Sequence, residues 1–512
     1  MEKMKKWTIA AAGLVCAAIS SSATTFNSDG TDCCGPNSVQ AIHDAQTTYD
    51  GDTITIPAGT FTWSAGLTLT KALTLQGAGI GQTIIQWAAV NTQMILWTLP
   101  NNPSLSRITG IEFQDGGGSG KAAPVGCVKI NGSNLAGWSP FRLDHCYWNN
   151  VQGSFVFDTV RGVIDHNTIY QSTHYRVIPL YFYATRWNGD TSGYGDQSWH
   201  DPANFGAGDC TYVEDNVLTF NFTGHGTFTD GLGGCRFVIR HNTINNGTIN
   251  NHGTESGGRI RGARLYELYA NNFVGSGYSK FLAGTRSGTT LIYDNTIRGF
   301  WGTEGTLGVG NYRTHNRFPI GCQTNCYFGG ADGTNPWDVN HPGGPFFSGT
   351  AAANSLGTSV QVSGVSWTAN QWVGYSVKRT SETDSGIDFG LIMSNTNNSI
   401  TYTDNGGYAN GSLTFTAGDS MQFWKVDQVM DGIGRGQGSV PSPIATPPVL
   451  AAWNDQVLEP MYCWNNVITD AGNAHLVWRN DSPSIRQNEH FFNDTPMPGY
   501  TPYTYPHPLT LQ

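Results

Sequence analysis

One short motif, an apolar or aromatic strand followed by Asn-x-apolar, recurs through the middle of the chain and limits what it can fold into. It spans Cys146–Val151, Ile164–Ile169, Val213–Leu218, Ile239–Ile244, Leu268–Phe273 and Ile292–Ile297, with a late copy at Tyr462–Val467. The motif asparagines are Asn149, Asn167, Asn216, Asn242, Asn271, Asn295 and Asn465; up to Asn295 they are 18, 49, 26, 29 and 24 residues apart. A unit this short cannot bury its apolar face alone, so neighbours must stack as in a solenoid. Period-2 alternation then puts one side-chain set inside the coil and the other outside. The spacing of 49 fits two turns, or one turn with a long loop. Asn suits a tight left-handed corner and can hydrogen-bond to the Asn of the next coil.

Composition agrees with a turn-rich all-β array. Gly accounts for 65 of 512 residues and charged side chains for 12%, while 38% hydrophobic and 12% aromatic residues supply a long core. The N-terminus reads as an export signal over residues 1–23: Lys3, Lys5 and Lys6, an apolar stretch Trp7–Ile19, and a small-residue cleavage site at Ser21–Ala23. The mature protein is expected in a secreted, periplasmic or cell-surface location, soluble and monomeric, without a membrane span. Nine cysteines follow Cys16 and disulfides are expected, with Cys322 and Cys326 close enough to staple a loop. A net charge of −10 without a Lys/Arg-rich run argues against nucleic acid as a partner.

Ahead of the repeats, Val39–Ala45 reads as a short amphipathic helix, followed by the strand-like Asp52–Trp63 and Leu67–Gly79 with Gly-rich corners. This opening resembles that of pectin-lyase-like right-handed parallel β-helix proteins, in which a helix caps the first coil. The expected organisation is a capped β-helix over 24–346, a small antiparallel β-module inserted at 347–427, and final coils with an extended Pro/Tyr-rich tail over 428–512. The resemblance implies polysaccharide as the partner. It carries over no catalytic residue, because the family's calcium-Asp ladder, catalytic Arg motif and paired-Asp motifs do not match here. An export leader also disfavours a phage tail-spike.

Chemistry is sought where residues one coil apart align. Two positions before the motif Asn stand Tyr147, Asp165, Glu214, Arg240, Tyr269 and Tyr293; if that column faces solvent, two carboxylates and a guanidinium share a stripe. The densest reactive stretch holds His252, Glu255, Arg259, Arg261, Arg264 and Glu267 within 16 residues. β-Elimination from a uronate needs its carboxylate neutralised by Arg or Ca²⁺ and a base for the neighbouring proton. Arg240, His252, Glu255, Arg259, Arg261 and Glu267 are the catalytic candidates, with Asp165 and Glu214 as Ca²⁺ ligands. Trp187, Tyr194, Trp199 and His200, in the long gap between repeats, join Arg264 and Tyr269 as sugar-binding candidates. The leading expectation is a polysaccharide lyase. A glycoside hydrolase using a carboxylate pair, or a non-catalytic glycan-binding solenoid, stays open.

Overall fold

A computed structural model describes residues 23–88, 92–118, 126–173, 178–221, 226–253, 260–275, 281–299, 306–309, 345–381, 389–403, 413–424, 431–437 and 457–512, the last without 471, 473, 476–477, 481–484 and 486. The leader, Glu255, Arg259, Cys322 and Cys326 lie outside the described residues.

The chain is a right-handed parallel β-helix. Its strands sort into three long sheets of 12, 11 and 10 strands, here A, B and C, and neighbours within a sheet are three strands apart in the chain through most of their length. Each coil therefore adds one strand to each sheet. Coils stack in register, as in Asp144–Asp165–Glu214–Arg240–Tyr269–Tyr293 along sheet A. The spacing of 49 residues is one coil carrying a long loop, since Gly162–Asp165 pairs directly with Thr211–Glu214. A helix, α1 (Val39–Asp44), caps the first coils; the side chain of Ser38 accepts from the Ala41 N–H and so satisfies one of its free donors.

Inward residues fill the coil as stacks running along its axis. Phe157, Phe182, Phe237 and Tyr266 come from successive coils, with ring centroids 5.8, 4.5 and 5.3 Å apart. Four tryptophans, Trp63, Trp87, Trp97 and Trp148, are buried in the same core. A separate six-stranded antiparallel sheet spans Phe347–Thr350 to Ser420–Trp424 around a core of its own that includes Val377, Ile392, Ile400 and Phe423.

The asparagine corner sits between sheets A and B, and its register refines the sequence alignment. Asn167, Asn216, Asn242, Asn271 and Asn295 form a continuous ladder. Each Oδ1 accepts the backbone N–H of the residue at the same corner of the preceding coil, and each Nδ2 bonds the backbone oxygen two residues before it. At the late end the ladder residue is Asn466, not Asn465. At the early end it is Cys146, whose N–H reaches Asn167, so Asn149 is not a member. Asp144, not Tyr147, therefore heads the column that holds Asp165. The left-handed residue is the one before the ladder position: His145, His166, Asp215, His241, Ala270, Asp294 and Asn465 all have φ between 51 and 56°. The Asn pins that corner from the next residue.

Among the cysteines, adjacent Cys33 and Cys34 form a disulfide, while Cys127, Cys146, Cys210, Cys235 and Cys463 are buried thiols. Among the described residues no helix is long and apolar enough to cross a membrane.

Candidate functional site

Sequence spacing brings Asp165, Glu214 and Arg240 together as expected, but beneath other chain. All three are fully buried, because the C-terminal tail lies along the outer face of sheet A. Arg142 forks onto Asp165 at 3.0 and 2.8 Å and turns its remaining nitrogen to the backbone oxygens of Leu509 and Gln512. Arg240 holds Glu214 at 2.6 Å and donates to the backbone oxygens of Tyr503 and Thr504, while Glu214 accepts the His507 N–H at 2.7 Å. Tyr269 accepts from Arg240 and stacks on Tyr293 at 4.6 Å. Glu267 accepts the N–H of Gly206 and the hydroxyl of Tyr500, and its burial pushes the carboxyl above its ordinary range. These groups clasp the tail. They are not an open groove, and Asp165 and Glu214 are committed to arginines and backbone donors rather than to Ca²⁺. Among the described residues no three His, Cys, Asp or Glu side chains gather as a metal site.

Two further arginines are also internal braces. Arg261 is buried between Asp431, at 2.7 Å, and Asp196, at 3.2 Å. Arg264 pairs with Glu459 and donates to the Asp201 carbonyl. The aromatic loop packs inward for the same reason. Trp199, on the short helix α2 (Asp196–His200), is completely buried, donates to the Gly262 carbonyl at 2.7 Å and lies 5.3 Å from both the Arg261 and Arg264 guanidinium carbons. Trp187 is buried under Arg236 and donates to Asp201. Neither ring is a sugar platform. Tyr194 is half-buried with its carbonyl accepting the Arg261 N–H, and His200 is exposed beside Asp201.

His252 stands apart from all of these, on the sheet C flank. Its backbone is pinned on both sides, the N–H to the Gly231 carbonyl and the carbonyl to the Ala263 N–H, each at 2.8 Å. The imidazole Nδ1 meets the carboxylate of Asp230, and the Arg286 guanidinium comes within 3.2 Å of the same nitrogen and 3.7 Å of the carboxylate. Arg286 is itself aimed by the Asn251 carbonyl, on which its Nε donates at 2.8 Å, and its own N–H donates to the Asn251 side chain. Asp230 lies on the strand Gly226–Gly231, register-paired to Tyr181 on Leu180–Tyr183. Tyr181 and Tyr183 stack at 5.1 Å; burial first, and then the charge of Asp230, raises both phenols well above their ordinary range, so both stay protonated. Leu232, Val156, Ile178 and Ile260 pack around the pair. Asp230 is nearly closed off while His252 and Arg286 remain about a quarter and a fifth exposed, at 24% and 21%.

An Nδ1–H donated to Asp230 leaves Nε2 as the free lone pair, the arrangement of a carboxylate-oriented base. The Arg286 guanidinium stands beside it, and Tyr181 and Tyr183, hydrogen-bonded to each other, flank Asp230 as protonated phenols. Of the predicted site residues that are described, His252 alone reaches this cluster. Asp230, Arg286, Tyr181 and Tyr183 were missed because columns were compared only around the Asn corner; aligning the sheet C strands places Tyr181 beside Asp230.

No family model and no curated protein matches the chain. Among solved structures it is similar to a tailspike protein of E. coli bacteriophage HK620, a double mutant in complex with a pentasaccharide, with 12% identity, a TM-score of 0.27, and coverage of 78% of this chain and 93% of that one. The solenoid assignment stands on the sheets themselves.

Proposed function

We propose that this protein is a polysaccharide lyase of the extracytoplasmic space, acting by β-elimination on a uronic-acid-containing glycan at Asp230, His252, Arg286 and the Tyr181–Tyr183 pair. The observation that carries the reading is the imidazole held between a buried carboxylate and a guanidinium, with its Nδ1 engaged and about a quarter of the side chain, 24%, exposed. Arg286 neutralises the substrate carboxylate, which makes the proton on the adjoining carbon removable. His252 Nε2 takes that proton. Its electron pair forms the new carbon–carbon double bond as the bond to the glycosidic oxygen breaks, and the leaving oxygen is protonated by water, or by a tyrosine hydroxyl that regains its proton from water. His252 then returns its proton to solvent.

Hydrolysis is less well served. It requires two carboxyl groups flanking the scissile bond, whereas Asp230 is engaged by His252 and Asp158 accepts three bonds from Thr159 and Thr185. The test is a panel of acidic and neutral polysaccharides followed both by reducing ends and by the ultraviolet absorbance of an unsaturated uronate. Chain scission with new absorbance, lost in His252→Ala, is the expected result. Scission without absorbance would make the enzyme a hydrolase, and binding without scission would make the protein a non-catalytic solenoid.

A further inference from the structure

A pocket of about 380 Å³ opens on the flank of sheet A, among the long loop at Pro202–Phe205, the returning segment Leu458–Tyr462 and the tail at Met497–Thr501. Its lining includes three aromatic side chains, Phe205, Tyr462 and Tyr500, and three prolines, Pro202, Pro460 and Pro498. Tyr462 is fixed from behind by Phe492, stacked at 5.1 Å and only 9° from parallel. Tyr500 is fixed by its hydroxyl, which bonds Glu267 and meets the Tyr293 hydroxyl at 2.9 Å. A carboxylate, Glu459, closes one side, while Asn204 and Thr501 stand exposed at the rim. The walls are thus rigid without a ligand, and the volume falls in the range of preformed small-molecule sites.

The charge of the pocket narrows its ligand. Arg264 is fully buried behind Glu459 and already pairs with it at 2.5 Å. None of the lining residues is Lys, Arg or His. An anion entering here finds no cation to receive it, and a cation finds a carboxylate already compensated. A pyranose ring fits both constraints, since it offers an apolar C–H face to an aromatic ring and hydroxyls to polar groups at the edge.

We propose that this pocket is a subsite for a neutral pyranose residue, a second carbohydrate site separate from the Asp230–His252–Arg286 cluster. The proposal rests on the reading of the protein as glycan-handling but not on its elimination chemistry. Free peptides and small aromatic molecules are the competing occupants, and the choice of probes separates them.

The experiment is saturation-transfer NMR on the full chain with methyl glucoside, methyl galactoside and methyl mannoside, and with galacturonic acid, indole and a proline-rich peptide as comparisons. The expected result is transfer to the ring protons of at least one neutral glycoside, at least fivefold stronger than to galacturonic acid. It should be lost in Leu458→Arg, which blocks the mouth from an exposed position, and in Tyr462→Ala, but kept in Tyr462→Phe. No transfer to any neutral glycoside, transfer unchanged in Leu458→Arg, or stronger transfer to galacturonic acid, indole or the peptide would overturn the proposal. Cleavage of a uronan with no binding here sinks the pocket alone; binding here with no cleavage on the panel sinks the lyase reading alone.

Discussion

Among single residues, the arginines that brace the fold differ in burial from Arg286. Arg240, Arg261 and Arg264 have no solvent exposure, whereas Arg286 is partly open and touches a histidine. The sequence shows a dense cluster of charge around residue 260 but not its direction, because burial is decided by chain that returns from far away: Asp431 and Glu459 follow the inserted module, and the tail follows both. His252→Ala should lower kcat by about 10²–10⁴-fold, the usual contribution of a positioned base, in protein that circular dichroism shows to be folded. Asp230→Asn should also lower kcat, because the imidazole loses the carboxylate that orients it. Arg286→Lys keeps the charge but loses the planar fork and is expected to raise KM for uronate substrates. Steady-state kinetics on the variants check all three.

At the scale of elements, the Asn ladder and the tail clasp carry opposite lessons about legibility. The ladder was readable because it is local and periodic; only its end members slipped, where Cys146 takes an Asn position and consecutive Asn465 and Asn466 offer two registers. The clasp was not readable, since it joins Arg142 to Leu509 and Glu214 to His507 across 367 and 293 residues of sequence. Asn242→Ala removes a side chain that bonds Val213, Arg240 and Asn271 and receives Asn216. At about 1–3 kcal/mol for each buried group left unpaired, it should destabilise by several kcal/mol, measurable as a lower midpoint in chemical denaturation. Leu458→Arg, on the exposed rim, should leave that midpoint nearly unchanged.

The tail also has a defined response to pH. Burial, followed by the nearby charges of Arg240 and Arg142, depresses the His507 imidazole to about 3. With the folded value below the unfolded one of about 6.5, the unfolded chain binds the extra proton first. The stability linked to this histidine is therefore complete above about pH 6.5 and falls as pH drops toward 3, at up to about 1.4 kcal/mol per unit. Glu267, whose carboxyl is raised by burial, works in the opposite sense. The clean measurement is a difference: wild type should lose stability relative to His507→Gln as pH falls through that window, followed by hydrogen exchange in the tail. A difference that does not change with pH would contradict the assignment.

At the scale of the whole molecule, two faces of the helix differ. Sheet A is sheathed by its own C-terminal tail, while the outer side of sheet C carries the open His252 and Arg286. The stacking of coils was legible because each unit repeats the same burial pattern; which face stays open was not, because loops and tail decide it. The asymmetry makes a global expectation. Shortening the tail should destabilise the sheet A face and leave the geometry of the sheet C cluster intact, so truncated protein that remains folded should keep its kcat. Elimination at the Asp230–His252–Arg286 cluster would be read as ultraviolet absorbance during incubation with a uronic-acid polysaccharide. The account predicts absorbance rising in step with new reducing ends for the wild type, and no rise for folded His252→Ala. Chain scission without absorbance, or absorbance undiminished in that variant, would contradict it.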